Sequence, residues 1–515
     1  MASMLRARRY FACQLSLVAA GLLVGCTVGP NFETPNPPPD TRYRKHTTVT
    51  LPAGEKDESQ RLLAGAHLRD DWWALFHSRE LDITVKAAIA GNRTLVQARA
   101  TLEQALQTEV AAAGGEYPQL NVAGGVSRER LNFATLGIPS SPAFPRFAQF
   151  NVFSVGPEVN YALDIWGGTR RLIEERAAQA EFQGYQMAAA YLTLTSNAVT
   201  EAITIAAIQA QIDAANDIIA NDEQNLALVQ RELQAGEATE IDVESARSQL
   251  ENDRTNLPPL RQQLSAARNA LALLVGRTPA RWSPPNFKLD RIALPTELPV
   301  RLPGELAHRR PDILAAEAQL RADNAAVGVA TAQLYPQITL TAGYEQLSTS
   351  VGNWFALQNN AWNLAANLTA PVFHGGQLTA QKRAAIAAFE ATRAGYEQTV
   401  LQALTQVATV LDALQHDGQL VAAQHRALDA AERSLKLTRD SYQGGNVGIL
   451  FVLDAQRRYE QARLGYVRAV QQRYLDTVQL FAALGGGWED WAQSHRPAIA
   501  PARETPEILN TLFSP

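Results

Sequence analysis

The chain has 515 residues, more than one compact domain ordinarily holds, with 46 basic against 51 acidic side chains and a formal net charge of −5. That balance gives no basic excess for a nucleic-acid partner. Two cysteines, Cys13 and Cys26, exclude a disulfide framework, and the histidines are scattered, His416 and His425 standing too far apart on one helix for a metal pair.

Residues 1–25 read as a secretory signal peptide. Arg6, Arg8 and Arg9 form a positive start, Phe11 to Val24 an apolar run, and a small-residue site follows. Leu23-Val24-Gly25-Cys26 resembles the bacterial lipobox, which implies cleavage before Cys26 and lipidation of that residue. Thr27, in place of the Asp that tends to retain lipoproteins at the inner membrane, favours the outer membrane. Without the leader and its three arginines the net charge is about −8. Cys26 is then the only thiol, so no intramolecular disulfide is expected. No later segment offers 18 continuous apolar residues. A membrane crossing would therefore use strands.

Residues 26–79 read as an extended N-terminal arm, with Pro35, Pro37, Pro38 and Pro39 close together and Asp71-Trp72-Trp73 near its end. A helix is predicted from about Leu81 to Glu116. Beyond that point the chain repeats itself. Glu116-Tyr117-Pro118-Gln119-Leu120 recurs as Leu334-Tyr335-Pro336-Gln337-Ile338. Asp164-Ile165-Trp166 is followed, at a slightly shorter offset, by Pro371-Val372-Phe373, and Gly236 by Gly445. The chain is read as two copies of helix, strand, strand, long helix, Gly turn, helix. They span 80–278 and 303–488, joined by a Pro-rich connector at 279–302 and followed by a tail at 489–515.

Each copy holds two predicted strands, at about 118–132 and 150–165, then about 336–348 and 361–373. Leu120, Val122, Gly124 and Val126 alternate with Asn121, Ala123 and Gly125; Trp362, Leu364, Ala366 and Leu368 alternate with Asn363, Ala365 and Asn367. One apolar face opposite a small or polar one fits a lipid-facing barrel strand. Alternation alone fits a strand on a soluble core equally well. Four strands cannot close a barrel, and open edges are not tolerated in lipid. As membrane strands they require oligomerisation, and three subunits would supply twelve.

Residues 377–484 contain no proline, and glycines cluster at Gly444, Gly445 and Gly448. Val421, Leu428, Leu435 and Tyr442 descend at intervals of seven; Val452, Tyr459 and Tyr466 return with the same beat. This predicts a helical hairpin whose first arm, about 66 residues at 1.5 Å each, reaches roughly 100 Å. The first copy matches it with Ile219, Leu226 and Leu233, then Gly236, then Val243, Leu250 and Leu257, where Pro258-Pro259 breaks the returning helix.

Taken together, these features resemble the outer membrane efflux proteins, the TolC-like family, in its lipoprotein branch (the OprM and NodT type). The motif that carries the resemblance furthest is Arg309-Arg310-Pro311-Asp312-Ile313, followed by Ala316-Glu317, Leu320 and Tyr335-Pro336. Trp73, Phe76, Asp164-Ile165-Trp166-Gly167, Asp454-Ala455-Gln456 and Leu484-Gly485-Gly486-Gly487-Trp488 also match. The resemblance implies an α+β channel: a homotrimeric twelve-stranded β-barrel in the outer membrane of a Gram-negative bacterium, continued by a long α-helical coiled-coil barrel across the periplasm. It implies an exit duct for small toxic compounds, working with a periplasmic adaptor and an inner-membrane pump.

Near the hairpin turns, Leu450, Asp454 and Arg458 step by four along a face other than the packing seam, and Asp242 lies close to the first turn. The resemblance implies a channel gate at Asp242, Leu450 and Asp454. Phe451 and Val447 stand where a second acid and an arginine can sit in such a gate, so a ring of Leu and a ring of Asp are expected in place of an ion-pair lock. The tips, with Gly236 and Glu237 in one hairpin and Gly445 and Asn446 in the other, are the candidate docking surface for the adaptor. No P-loop, G-x-G-x-x-G or cysteine cluster is present, so no enzymatic activity, cofactor or metal is expected. The other readings kept open are the outer-membrane component of type I protein secretion and a periplasmic coiled-coil adaptor lipoprotein without a barrel.

Overall fold

The computed structural model describes residues 27–36, 42–43, 59–65, 68–133, 137 and 146–496. The leader, Cys26 and the tail beyond residue 496 lie outside the described residues. From the N-terminus come β1 (Arg61–Ala64), a short 3-10 turn at Trp72–Phe76, α1 (Arg79–Gly91), α2 (Arg93–Ala113), β2 (Gln119–Asn132) and β3 (Phe147–Leu163). Then follow α3 (Gly168–Ala235), α4 (Glu240–Arg254), α5 (Leu257–Leu274), β4 (Glu297–Val300), α6 (Pro303–Ala307) and α7 (Pro311–Ala332). The chain continues with β5 (Gln337–Ser348), β6 (Asn360–Thr369), α8 (Gln377–Gln443), α9 (Ile449–Ala483) and α10 (Glu489–His495).

The order α2, β2, β3, α3, α4 recurs as α7, β5, β6, α8, α9. Helices α3 and α8 have 68 and 67 residues, so each is roughly 100 Å long. The helix predicted from Leu81 to Glu116 is in fact two. Asn92 ends α1 in extended backbone and caps α2, its Oδ1 accepting from the amides of Thr94 (2.8 Å) and Leu95 (3.2 Å). Its Nδ2 donates to the Leu274 carbonyl at 2.9 Å, which ties the break to the end of α5.

β2, β3, β5 and β6 form one antiparallel sheet in that order. The register runs Leu120–Val159–Ala342–Leu364 across one face and Asn121–Glu158–Gly343–Asn363 across the other. Leu120, Val122, Val126, Trp362, Leu364 and Leu368 are all more than half exposed. β6 ends at Thr369, before Pro371, and Val372 and Phe373 beyond it are exposed outside the sheet.

The junction of sheet and rods is built by side chains. Asp164 accepts from the amides of Thr169 and Arg170, both at 3.0 Å, and so starts α3. Trp166 Nε1 donates to the Pro336 carbonyl at 2.7 Å, and its ring stacks on Tyr335, 4.7 Å between centroids. The arm docks on this junction. Val28 N donates to the Trp166 carbonyl, and buried Arg171 binds the Val28 and Gly29 carbonyls and Asn31 Oδ1.

The main core lies midway along the rods. Trp72 and Phe76 are sealed from solvent and pack on Phe481, with Tyr474 stacked on Phe76. Beside it β1 pairs in parallel with β4, joining the arm to the connector. The Arg310 guanidinium clamps this region. It donates to both Asp312 carboxylate oxygens (3.0 and 2.7 Å) and to the Ala483 carbonyl (2.6 Å). Trp488 Nε1 donates to the Arg309 carbonyl at 2.9 Å. The Arg-Arg-Pro-Asp and Gly-Gly-Gly-Trp stretches therefore meet, fastening the start of α7 to the end of α9.

Candidate functional site at the hairpin tips

Both hairpins turn by the same device. Gly236, at φ +81°, donates to the Leu233 carbonyl while Glu237 N reaches back to Glu232 O. Gly445, at φ +73°, donates to the Tyr442 carbonyl while Asn446 N reaches Ser441 O. This pair of bonds satisfies the last carbonyls of each descending helix, and the positive φ requires glycine. Gly236, Glu237, Gly445 and Asn446 are exposed.

The helices leave the turns differently. Thr239 caps α4, and Asp242 Oδ2 accepts from the Thr239 amide (2.9 Å) and hydroxyl (2.7 Å) in a reciprocal capping box. These Thr239 bonds hold the Asp242 carboxyl below its ordinary range. Asp242 is therefore a cap first, which the spacing Thr239-Glu240-Ile241-Asp242 already spelled. Among the described residues no side chain caps α9.

Behind the tips, Val229, Val243, Ala246, Ile449, Val452 and Leu453 form a small apolar core. With these on the inner seam, Leu450 is left exposed and Asp454 half exposed, on the face expected from the four-residue step. Asp454 is not an isolated carboxylate. Arg457 Nη2 donates to Oδ1 at 2.6 Å and Arg458 Nε to Oδ2 at 2.8 Å. The Asp ring expected from the sequence is therefore accompanied by two arginines per chain. Their positions three and four residues on were a readable signal.

One link was not legible. The Tyr442 hydroxyl on α8 donates to Glu232 Oε2 on α3, bridging the two hairpins just above the turns. The partners are far apart in sequence and carry no motif. Higher up, three carboxyl groups from three helices meet in the interior: Asp222, Asp253 and Glu460. Burial, then the hydrogen-bonded Asp253 and the Glu460 charge, push Asp222 up to about 8. Burial and Asp253 push Glu460 up to about 7.

Comparisons with known proteins agree with this architecture. The profile of the outer membrane efflux protein family matches residues 84–277 and 302–486, the two repeats. The pyoverdine export outer membrane protein OpmQ of Pseudomonas aeruginosa is 32% identical over 94% of this chain and 98% of its own length. The probable outer membrane lipoprotein SilC of Salmonella typhimurium is 27% identical over 92% of this chain and 98% of its own. The solved outer-membrane channel OprN superposes with a TM-score of 0.79 at 25% identity, over 90% of this chain and all of that one.

Proposed function

Because the chain belongs to the outer membrane efflux protein family, whose members are outer-membrane channels, we propose that three copies close into one duct, gated near its periplasmic end. The observation that carries this reading is the sheet. Its one face is apolar and exposed, its other face bears Asn121, Glu158 and Asn363, and its edges, β2 and β6, have no partner strand among the described residues. In lipid an unpaired edge leaves backbone amides and carbonyls unsatisfied, at a cost of several kcal/mol each. Pairing β6 of one copy with β2 of the next removes both edges. Three copies place twelve strands in the wall, with the polar face around water. The rods then form a tunnel of roughly 100 Å, the scale of a compartment to be crossed.

Such a duct conducts passively. Small toxic compounds enter from an inner-membrane pump, through a periplasmic adaptor seated on the exposed tips around Gly236, Glu237, Gly445 and Asn446. Leu450 and Asp454 narrow the tunnel there, and Asp242 shapes the neighbouring turn. Cys26 anchors the chain by its acyl groups. The seat of Thr27 supports this, since its side chain packs against Gly167 beside the stacked Trp166 and Tyr335. Such an aromatic pair suits the membrane interface.

The purified protein should run on a gel as a heat-modifiable trimer and conduct in planar bilayers. A monomer without conductance would overturn the reading in favour of a barrel-less adaptor. Cysteine at Asn446 should crosslink to the hairpin of a co-expressed adaptor. Replacing Cys26 by Ala should abolish incorporation of labelled palmitate.

A further inference from the structure

We propose that Asp222, Asp253 and Glu460 form a binding site for a divalent cation of the hard, oxygen-preferring class, with Ca2+ the best fit, stapling the two hairpins together above their tips. The site goes beyond the channel reading and does not depend on the gate. Asp222 comes from α3, Asp253 from α4 and Glu460 from α9. One carboxylate oxygen of each lies within 4.8 Å of the other two. The residues are only 1, 7 and 5% exposed. From the turns, a dozen or so residues of helix place them roughly 20 Å above the tips.

The carboxylates are held from outside and bare within. Gln456 Nε2 donates to Asp222 Oδ1 at 3.0 Å, and Gln249 Nε2 to Asp253 Oδ2 at 2.6 Å. Gln456 is itself fixed, its Oε1 accepting from Asn225 Nδ2 (3.2 Å) and Arg439 Nη2 (2.6 Å). Asp222 Oδ2 and Glu460 Oε1 are sealed from solvent and meet no donor among the described residues other than a carboxyl proton shared within the cluster. A buried carboxylate oxygen without a donor is costly. Amides that orient ligands while leaving other oxygens free form the outer layer of a metal site.

Charge and size point the same way. Against three carboxylates, Arg439 is the cation that acts on Asp222 and Glu460, and it is bound to the Gln456 amide; Arg433, Lys436 and Arg463 line the groove outside the cluster. Arg254, next to Asp253, turns outward to Glu223 and Glu251. A divalent ion supplies the missing charge. The donors are all oxygen, with no imidazole or thiolate, which excludes the sites that zinc and copper prefer. Oxygens on opposite sides of Ca2+ stand about 4.6–5.2 Å apart, and about 4.0–4.2 Å around Mg2+. The three oxygens, all within 4.8 Å of one another, fall inside the Ca2+ span, and Mg2+ parts with its waters more reluctantly. Glu460 also lines a groove of about 740 Å³ with Asp217, Arg439 and Arg463, which provides a way in from the surface.

The test uses the full-length detergent-solubilised protein, stripped with EDTA and titrated calorimetrically with CaCl2, then MgCl2, with thermal unfolding alongside. One saturable Ca2+ site per chain and a raised Tm are expected, with Mg2+ weaker. Asp253→Asn and Glu460→Gln keep the side-chain shapes and relieve repulsion, so both should fold and trimerise. Each should weaken Ca2+ binding at least ten-fold and lose the Tm rise, while the exposed control Glu244→Gln should behave as wild type. No saturable heat and an unchanged Tm in the wild-type protein would overturn the proposal and leave a cluster that only shares protons. Equal binding by wild type and both variants would overturn it too, by placing the ion elsewhere.

Discussion

Arg458 Nε donates a 2.8 Å hydrogen bond to Asp454 Oδ2, one helical turn away on the half-exposed face of α9. Arg457 holds the other oxygen, and the two guanidinium groups, Arg457 first, keep the Asp454 carboxyl below its ordinary range. Each chain thus brings one negative and two positive charges to this level. Removing the acid uncovers the arginines. Asp454→Ala should shift the channel toward anions, and Leu450→Ala with Asp454→Ala should raise single-channel conductance by about two-fold or more. Bilayer recordings decide this; wild-type selectivity and conductance in both variants would take the gate away from these residues.

The bond from the Tyr442 hydroxyl to Glu232 joins α8 to α3 where the rods end. Burial, then Glu232, keeps the Tyr442 phenol protonated far above its ordinary range, so the donor persists at every physiological pH. A hydrogen bond to a charged acceptor contributes about 1.5–3 kcal/mol, less where water competes. Tyr442→Phe should therefore loosen the tips and raise the open probability, whereas Glu232→Gln, which keeps an acceptor oxygen, should do so less. Equal open probability in Tyr442→Phe and wild type would show that the bond closes nothing.

Asp417 on α8 and Asp476 on α9 are buried against one another, with Gln472 Nε2 donating to Asp476 Oδ2 at 3.0 Å. Burial first, then Asp476, raises Asp417 from its ordinary 3.8 to about 7. The folded state therefore keeps a proton that the unfolded chain has lost. Below about pH 4 both states hold it and no penalty arises. As pH climbs toward 7 stability falls, by at most about 1.4 kcal/mol per pH unit, and above 7 the full penalty remains. Asp417→Asn should flatten this slope and stabilise the rods at pH 8 by on the order of 2 kcal/mol. Thermal melts from pH 4 to 8 measure it; a variant as pH-sensitive as wild type in this window would refute the assignment.

Gly29 and Gly328 touch backbone to backbone. A Cβ on Gly29, which sits at φ +95°, would stand 2.5 Å from Gly328 Cα. Gly29→Val should thus unseat the arm at a cost of about 1–3 kcal/mol and speed cleavage after Glu33 by a glutamyl endopeptidase. Unaltered cleavage would show that the arm is held chiefly by Arg171.

Much of this was readable from the chain alone. Period two marked the strands, because alternate side chains must face lipid and water. Period seven marked the rods, because long helices pack along one seam. The internal repeat paired Gly236 with Gly445, and both proved to be the positive-φ turns. Some features resisted local reading. The predicted helix at 81–116 hid its break because Asn92 is tolerated within a helix, and its capping role depends partly on the Leu274 carbonyl. The pairing of β1 with β4 was invisible because four-residue strands separated by more than two hundred residues leave no pattern.

The sequence by itself determined the two repeats, the alternating strands, the length of the rods and the glycine turns. Each follows from the conformational preferences of neighbouring residues. Only the tertiary structure decided what the charged side chains without a partner on their own helix do. Asp242 and Asp454 bind neighbours three and four residues away, but Glu232 became a partner of Tyr442, and Asp222, Asp253 and Glu460 a single cluster. A charge acts through what lies within a few ångströms of it, and for most of these residues that neighbour is set by how the hairpins pack.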